Sequence, residues 1–188
     1  MIEKYNQYII EHVTNVRLSW KMLQPKLIDK YWLDDYYYHI INERVETHDI
    51  SKLTDNEFNG YRQFFYPYKE EEPNKNILDK SWLHHIHKND HHWEYWVICG
   101  VNNTAVDMPL ECIFEMLLDW AAMSIKFGDT PRQFYDTNKG TMIFHENTSK
   151  YIESIIDLFT FKVGNLNEEL AKKMTKNGNL QRAYKKRV

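Results

Sequence analysis

The chain of 188 residues has only two cysteines, six glycines and five prolines, and each scarcity excludes a class of protein. Cys99 and Cys112 stand 13 positions apart with no second pair. That excludes a disulfide-stapled framework and a four-thiolate zinc module, and it fits a reducing cytoplasm. So few glycines and prolines leave long segments without turn signals, which argues for helices joined by loops rather than many short strands. No stretch approaches the ~18 uninterrupted apolar residues that a membrane-spanning helix needs. The N-terminal MIEKYNQYIIEHV carries charge in every turn, unlike a secretory signal. The expectation is a cytoplasmic protein of one domain, with no membrane partner.

Net charge is also small, −3, but it is unevenly spread. Residues 162–188 hold eight Lys/Arg against Glu168 and Glu169, a local +6, and the rest carries −9. An acidic body with a short basic tail is not a nucleic-acid footprint. The organisation expected is a helical domain over 1–165 and a basic C-terminal helix or tail over 166–188.

What the chain does contain is helical periodicity and histidine. From Ile2 to Leu23, residues Tyr5, Ile9, His12, Val16 and Trp20 recur at spacings of three and four, one inward helix face with a histidine in its middle. A second helix is expected over Asp29–Glu46, ending in His48-Asp49-Ile50-Ser51-Lys52. Thr54-Asp55-Asn56-Glu57 reads as a capping box opening a third helix that stops near Tyr66-Pro67. A helix is expected over Ile77–Asn89, a loop over 100–107, and an apolar helix over Leu110–Phe127, started by Pro109 and closed by Gly128. Short helical pieces at 131–137, 148–161 and 167–174 complete an all-α, single-domain bundle.

Several polar residues fall where apolar ones belong. His12 lies on an inner stripe, His48 and Asp49 end a helix, and Glu115 and Asp119 stand four apart on the most apolar helix. A buried carboxylate costs several kcal/mol unless it is paired or binds a metal. Either Glu115 and Asp119 form a polar edge, or the set is a site in which imidazole nitrogen and carboxylate oxygen together suit Mn²⁺, Fe²⁺, Co²⁺, Zn²⁺ or Mg²⁺. Five of the nine histidines crowd into 84–92. His85, Asn89 and His92 share one helix face and His84, His87 and His91 another; spacing leaves open which faces inward.

His12, then His48-Asp49, then a cluster ending in His91-His92, then Asp119, resembles the HD-domain superfamily of metal-dependent phosphohydrolases. His48-Asp49-Ile50-Ser51-Lys52 is similar to the His-Asp-Ile-Gly-Lys stretch of its cyclic-dinucleotide phosphodiesterase branch, although that branch's Gly-Tyr-Pro stretch is absent. Three blocks more closely resemble an uncharacterised family of small bacterial and phage proteins. They are His48-Asp49-x-Ser51-Lys52 with Glu57-Phe58 and Tyr61, then Trp82-x-x-His85-x-x-x-Asn89-x-His91-His92-Trp93, and Glu115-Met116-x-x-Asp119-Trp120.

The superfamily resemblance implies His12, His48, Asp49 and Asp119 as ligands of one divalent metal, with Asp49 able to bridge to a second ion held by His85 and His91 or His92. The activity implied is hydrolysis of a small phosphorylated substrate, a nucleotide foremost. Asp49 would orient the attacking water, and Lys52 would reach a phosphate oxygen or hold Asp49. Arg62, Lys88 and Lys139 are further candidates for phosphate contact. Trp82, Trp93, Tyr95 and Trp96 are candidates for stacking on a base, and His145 for a place around the ligands. The competing expectations are a di-iron oxygenase of the same type and a metal-stabilised binding module without catalysis.

Overall fold

The computed structural model describes residues 1–28 and 33–161. The basic tail and the helix expected at 167–174 lie outside the described residues. Within them the protein is all-α, with seven helices: α1 (Ile2–Ile28), α2 (Asp35–Thr47), α3 (Asp55–Phe65), α4 (Lys75–Lys88), α5 (Leu110–Phe127), α6 (Pro131–Asn138) and α7 (Glu146–Ile155). No described helix is long and apolar enough to cross a membrane.

The apolar stripe of α1 divides the core. Val16, Trp20, Leu23 and Leu27 join Ile41 and Val45 of α2, Cys112, Ile113, Phe114, Met116, Leu117 and Leu118 of α5, and Ile152, Ile155, Ile156 and Phe159 in one large cluster. Tyr5, Ile9 and Val13 join Tyr61 of α3 in a second, smaller cluster. His12 is placed on α1 at the junction between the two. Each buried Leu or Ile contributes about 1.5–3 kcal/mol relative to exposure, which fixes α1 against α2 and α5 and so fixes the direction of the histidine between them.

Helix ends differ from expectation where side chains override propensity. α1 runs on past Leu23 to Ile28 with Pro25 in its closing turns, because Leu23 and Leu27 remain on the buried stripe. α2 starts at Asp35, where the Asp34 carboxylate accepts from the Tyr37 amide at 3.0 Å. α4 starts at Lys75, capped by Asn74, and α7 at Glu146, capped by His145. The expected loop at 100–107 contains half of a two-stranded antiparallel ribbon, Val97–Ile98 with Thr104–Ala105. Gly128 closes α5 in the left-handed conformation, φ 80°, its amide bonded to the Ser124 carbonyl at 2.8 Å.

The capping box is absent as such. The Thr54 hydroxyl donates backwards to the Ser51 carbonyl at 2.7 Å, and the Glu57 carboxylate turns away from the helix start into the interior, where it is fully buried. α3 then lies so close to α4 that a Cβ on Gly60 would stand 2.2 Å from Ser81 Oγ and 2.9 Å from the Ile77 carbonyl oxygen. Gly60→Ala should therefore push α4 outward and destabilise the fold by about 1–3 kcal/mol. A thermal melt checks this, and a midpoint within about 1 °C of the parent would contradict it.

Candidate metal centre

Four elements converge on one carboxylate. α2 ends at Thr47, and Asp49 then adopts φ 57°, the left-handed region, alone among the described non-glycine residues. Such a conformation costs of order 1–3 kcal/mol and persists where the surroundings demand it. Here it turns the 2% exposed Asp49 inward beneath α1, α4 and α5. His12 arrives from α1, His48 from the end of α2, Asp119 from α5, and His85 from α4. His91 and His92 come from the turn that follows Lys88.

The two oxygens of Asp49 face different partners. Oδ2 lies 3.2 Å from His12 Nε2 and 3.5 Å from His48 Nε2, with Asp119 Oδ1 a further 3.2 Å from His12 Nε2. Oδ1 lies 3.3 Å from His85 Nε2 and 3.7 Å from His91 Nε2. Three overlapping sets of potential ligand atoms result: His12, His48 and Asp49; His48, His91 and Asp119; and Asp49, His85, His91 and His92, each within 4.8 Å of one another.

The donor chemistry fits a cation. His48 Nδ1 and His91 Nδ1 lie 2.8 and 3.1 Å from the same oxygen of Glu115, and His85 Nδ1 lies 2.8 Å from Glu57 Oε2. A carboxylate only accepts, so each Nδ1 carries a proton, and in the neutral form of each ring Nε2 turns a lone pair toward Asp49. Asp49 Oδ1 and the Nε2 atoms of His85, His91 and His92 are all buried without a hydrogen-bond partner. Asp49 Oδ1 and the Nε2 atoms of His85 and His91 are acceptors facing one another without a donor, an arrangement that is strongly unfavourable unless something positive sits among them. These buried His and Asp groups can hold a metal ion, with Glu115 and Glu57 as the outer carboxylates that set ring orientation.

Protonation states agree with that division. Burial lowers the His85 pKa, and burial with the neighbouring His91 and His85 rings takes His92 well below the ordinary imidazole value; both are neutral, as metal ligands must be. Burial also opposes charge on His12, but hydrogen bonds to Asp119 and Asp49 outweigh it and raise its pKa. On His48 the nearby Asp49 and Glu115 carboxylates do the same. A proton and a cation therefore compete for the space beside Asp49 Oδ2. Lys52 also reaches that oxygen, its Nζ 2.5 Å away, and holds the carboxylate ionised against burial.

The histidine run resolves into three fates. Its helix ends at Lys88, so a single helix face does not select the ligands: His85 points in from α4, while His91 and His92 turn in from beyond it. His84 sits at the edge, its Nδ1 2.7 Å from Glu57 Oε1, and His87 is exposed. Asn89 donates to Ser51 Oγ at 2.8 Å and ties the turn to the His-Asp segment.

A cavity of about 540 Å³ opens onto this cluster, with His12, Lys52, His91, His92 and Asp119 in its lining. The three cations expected to contact phosphate do not line it. Arg62 is held by Glu71 through two bonds of 2.5 and 2.9 Å, which pulls the Glu71 pKa down to about 2. Lys139 bonds Asp136 at 2.8 Å on the surface, and Lys88 is exposed beside a separate depression that also includes His84 and Arg44. Trp82 and Trp93 line the cavity; Tyr95 and Trp96 do not, Trp96 donating to the Asp90 carbonyl at 2.7 Å. His145 is away from the ligands, capping α7.

Sequence reasoning missed Glu57, whose position mimics a cap, and Arg44, whose Nε reaches Glu115 Oε2 at 2.7 Å. A glutamate that looks like a cap but is followed by a histidine-rich helix is the signal that was present for the first. Arg44, one turn before His48 on an ordinary polar helix, gives none.

Residues 1–158 match the DUF5662 family, described as a family of unknown function, and the chain belongs to it. Comparisons with curated proteins and with solved structures found no match.

Glu115→Gln keeps the shape of the side chain but removes the charge that both imidazoles donate to. It should weaken binding of Zn²⁺ or Mn²⁺ by about 10–100-fold while circular dichroism stays helical. Competition with a chromophoric chelator measures the change, and parental affinity would exclude the orienting role.

Proposed function

We propose that this protein is a metal-dependent phosphohydrolase of HD type, acting on a small phosphorylated molecule with a nucleotide as the leading class. The observation that carries the proposal is the divided environment of Asp49. One oxygen faces His12, His48 and Asp119 and the other faces His85, His91 and His92, a donor arrangement for two divalent ions sharing one carboxylate.

A divalent cation at such a centre lowers the pKa of bound water and neutralises charge on the phosphoryl oxygens. The protein's own groups do the rest. Asp49 and Asp119 confer the negative charge that attracts the cations, and the neutral imidazoles fix their number and direction. Glu115 receives the Nδ1 protons of His48 and His91 and keeps both rings from rotating. Lys52 stands at the cavity floor with its ammonium on Asp49, placed to pass from that carboxylate to a phosphoryl oxygen as substrate arrives. His12, His91, His92 and Asp119 line the cavity while His48, Asp49 and His85 are buried behind them, and this access from one side favours a working site over a purely structural ion.

Asp49→Asn should reduce hydrolysis by at least about 100-fold and lower metal content, because it affects both ligand sets at once. The check is elemental analysis of the purified protein together with a screen of nucleotide mono-, di-, tri- and cyclic phosphates in Mn²⁺, Co²⁺ and Mg²⁺. Absence of tightly bound metal after addition of each ion would sink the proposal. An air-sensitive mixed-valent iron pair would move it to the oxygenase class, and metal that supports folding without turnover would leave a binding module.

A further inference from the structure

The cavity walls differ sharply from its floor. Among the described residues that line it Lys52 is the single Lys or Arg, and its ammonium is already paired with Asp49 at 2.5 Å. Three carboxylates, Asp79, Glu94 and Asp129, line it besides Asp119. The remaining surface is dominated by Trp82, Trp93, Trp120, Phe134, Met123 and Met142. Trp82 sets its edge against the His92 ring at 5.2 Å, so the aromatic wall begins at the ligands themselves, and Trp120 packs edge-on to Phe134 at 5.1 Å.

We infer that the substrate is a phosphate monoester with one phosphate on a flat, apolar organic body, and that polyphosphates are discriminated against. The inference rests on the phosphohydrolase reading above and narrows its substrate class. Phosphate recognition through several charges needs several arginines or lysines, which give the strong bidentate or charge-assisted bonds. Among the described residues the lining supplies only the centre at its floor and one lysine, the nearby Lys126 being engaged 4.3 Å over the Tyr8 ring, and the acidic lining repels a chain of further phosphates. Flat aromatic bodies gain from offset or edge-on contact with the Trp and Phe rings, and methionines adapt to irregular outlines. The volume, about 540 Å³, lies in the range that encloses a compact organic ligand.

Two hydroxyls add neutral donors. Tyr5 and Tyr61 are 1% and 8% exposed, line the same cavity, and have no hydrogen-bond partner for their hydroxyls among the described residues. Each oxygen is itself buried, so each is a neutral donor held in reserve beside the cavity, one that adds no second buried cation.

The test uses the full chain loaded with Mn²⁺ and measures binding by calorimetry with 1-naphthyl phosphate, inorganic phosphate and MgATP. 1-Naphthyl phosphate should bind roughly tenfold or more tightly than either of the others. Trp120→Ala should remove about tenfold of that preference and leave inorganic phosphate unchanged, with Trp120→Phe retaining most of it. Asp129→Lys, a change at an exposed position, should strengthen MgATP binding severalfold. MgATP binding as tightly as the naphthyl ester, or the ester binding no tighter than inorganic phosphate, would overturn the inference. Preferential binding of the ester with no turnover in any metal would leave it standing while removing the hydrolase reading.

Discussion

The structure depends on one unfavourable arrangement made tolerable: a buried carboxylate surrounded by lone pairs. Asp49 is driven into a left-handed backbone conformation at the end of α2 and meets imidazole nitrogens from both sides. Because Nδ1–H of His91 and of His85 donates to Glu115 and Glu57, the Nε2 edges of those rings that face Asp49 are left as acceptors when the rings are neutral. Such a centre is stable only with positive charge inside it. In the protein alone that charge comes from Lys52 and from protons drawn onto His12 and His48.

The outer groups explain why the inner ones hold their direction. Glu115 is anchored in turn by Arg44, which also pairs with Asp90, and Glu57 is held by Ser51 at 3.0 Å and by His84. His48, His91 and His85 are thereby each tied to a carboxylate that is itself tied to a second element. α5 contributes both the candidate ligand Asp119 and Glu115, one helical turn apart, so its packing against α1 and α2 sets the inner and outer groups of the centre together.

Legibility from the sequence followed the range over which the physics acts. The apolar stripes of α1 and α5, and Gly128 at the end of α5, are local periodicities and end signals, and they were readable. His12, Glu115 and Asp119 stood out because they break such a stripe. His91 and His92 were not assignable to a face, since their positions are set by where α4 stops and how Asn89 returns to Ser51. Glu57 was misread because its spacing from Thr54 satisfies a local capping rule, while its burial beside His84 and His85 is a contact across 27 and 28 positions. Arg62 looked free in the sequence because its partner, Glu71, stands nine positions beyond it on the folded surface, whereas the partner of Lys139, Asp136, is only three positions away and was within reach of a local reading.

The placement of His12 between the two apolar clusters gives the centre a mechanical meaning as well as a chemical one. The smaller cluster of Tyr5, Ile9, Val13 and Tyr61 has little apolar area of its own, and it meets the main core where His12, Asp49 and Asp119 face one another. An ion bound there would be a cross-link joining positions 12, 49 and 119, a reversible staple in a chain whose two free thiols form no covalent one. Affinity for the ion and cohesion of the N-terminal part of the fold are then two measures of one free energy, since whatever binds only the folded form stabilises it.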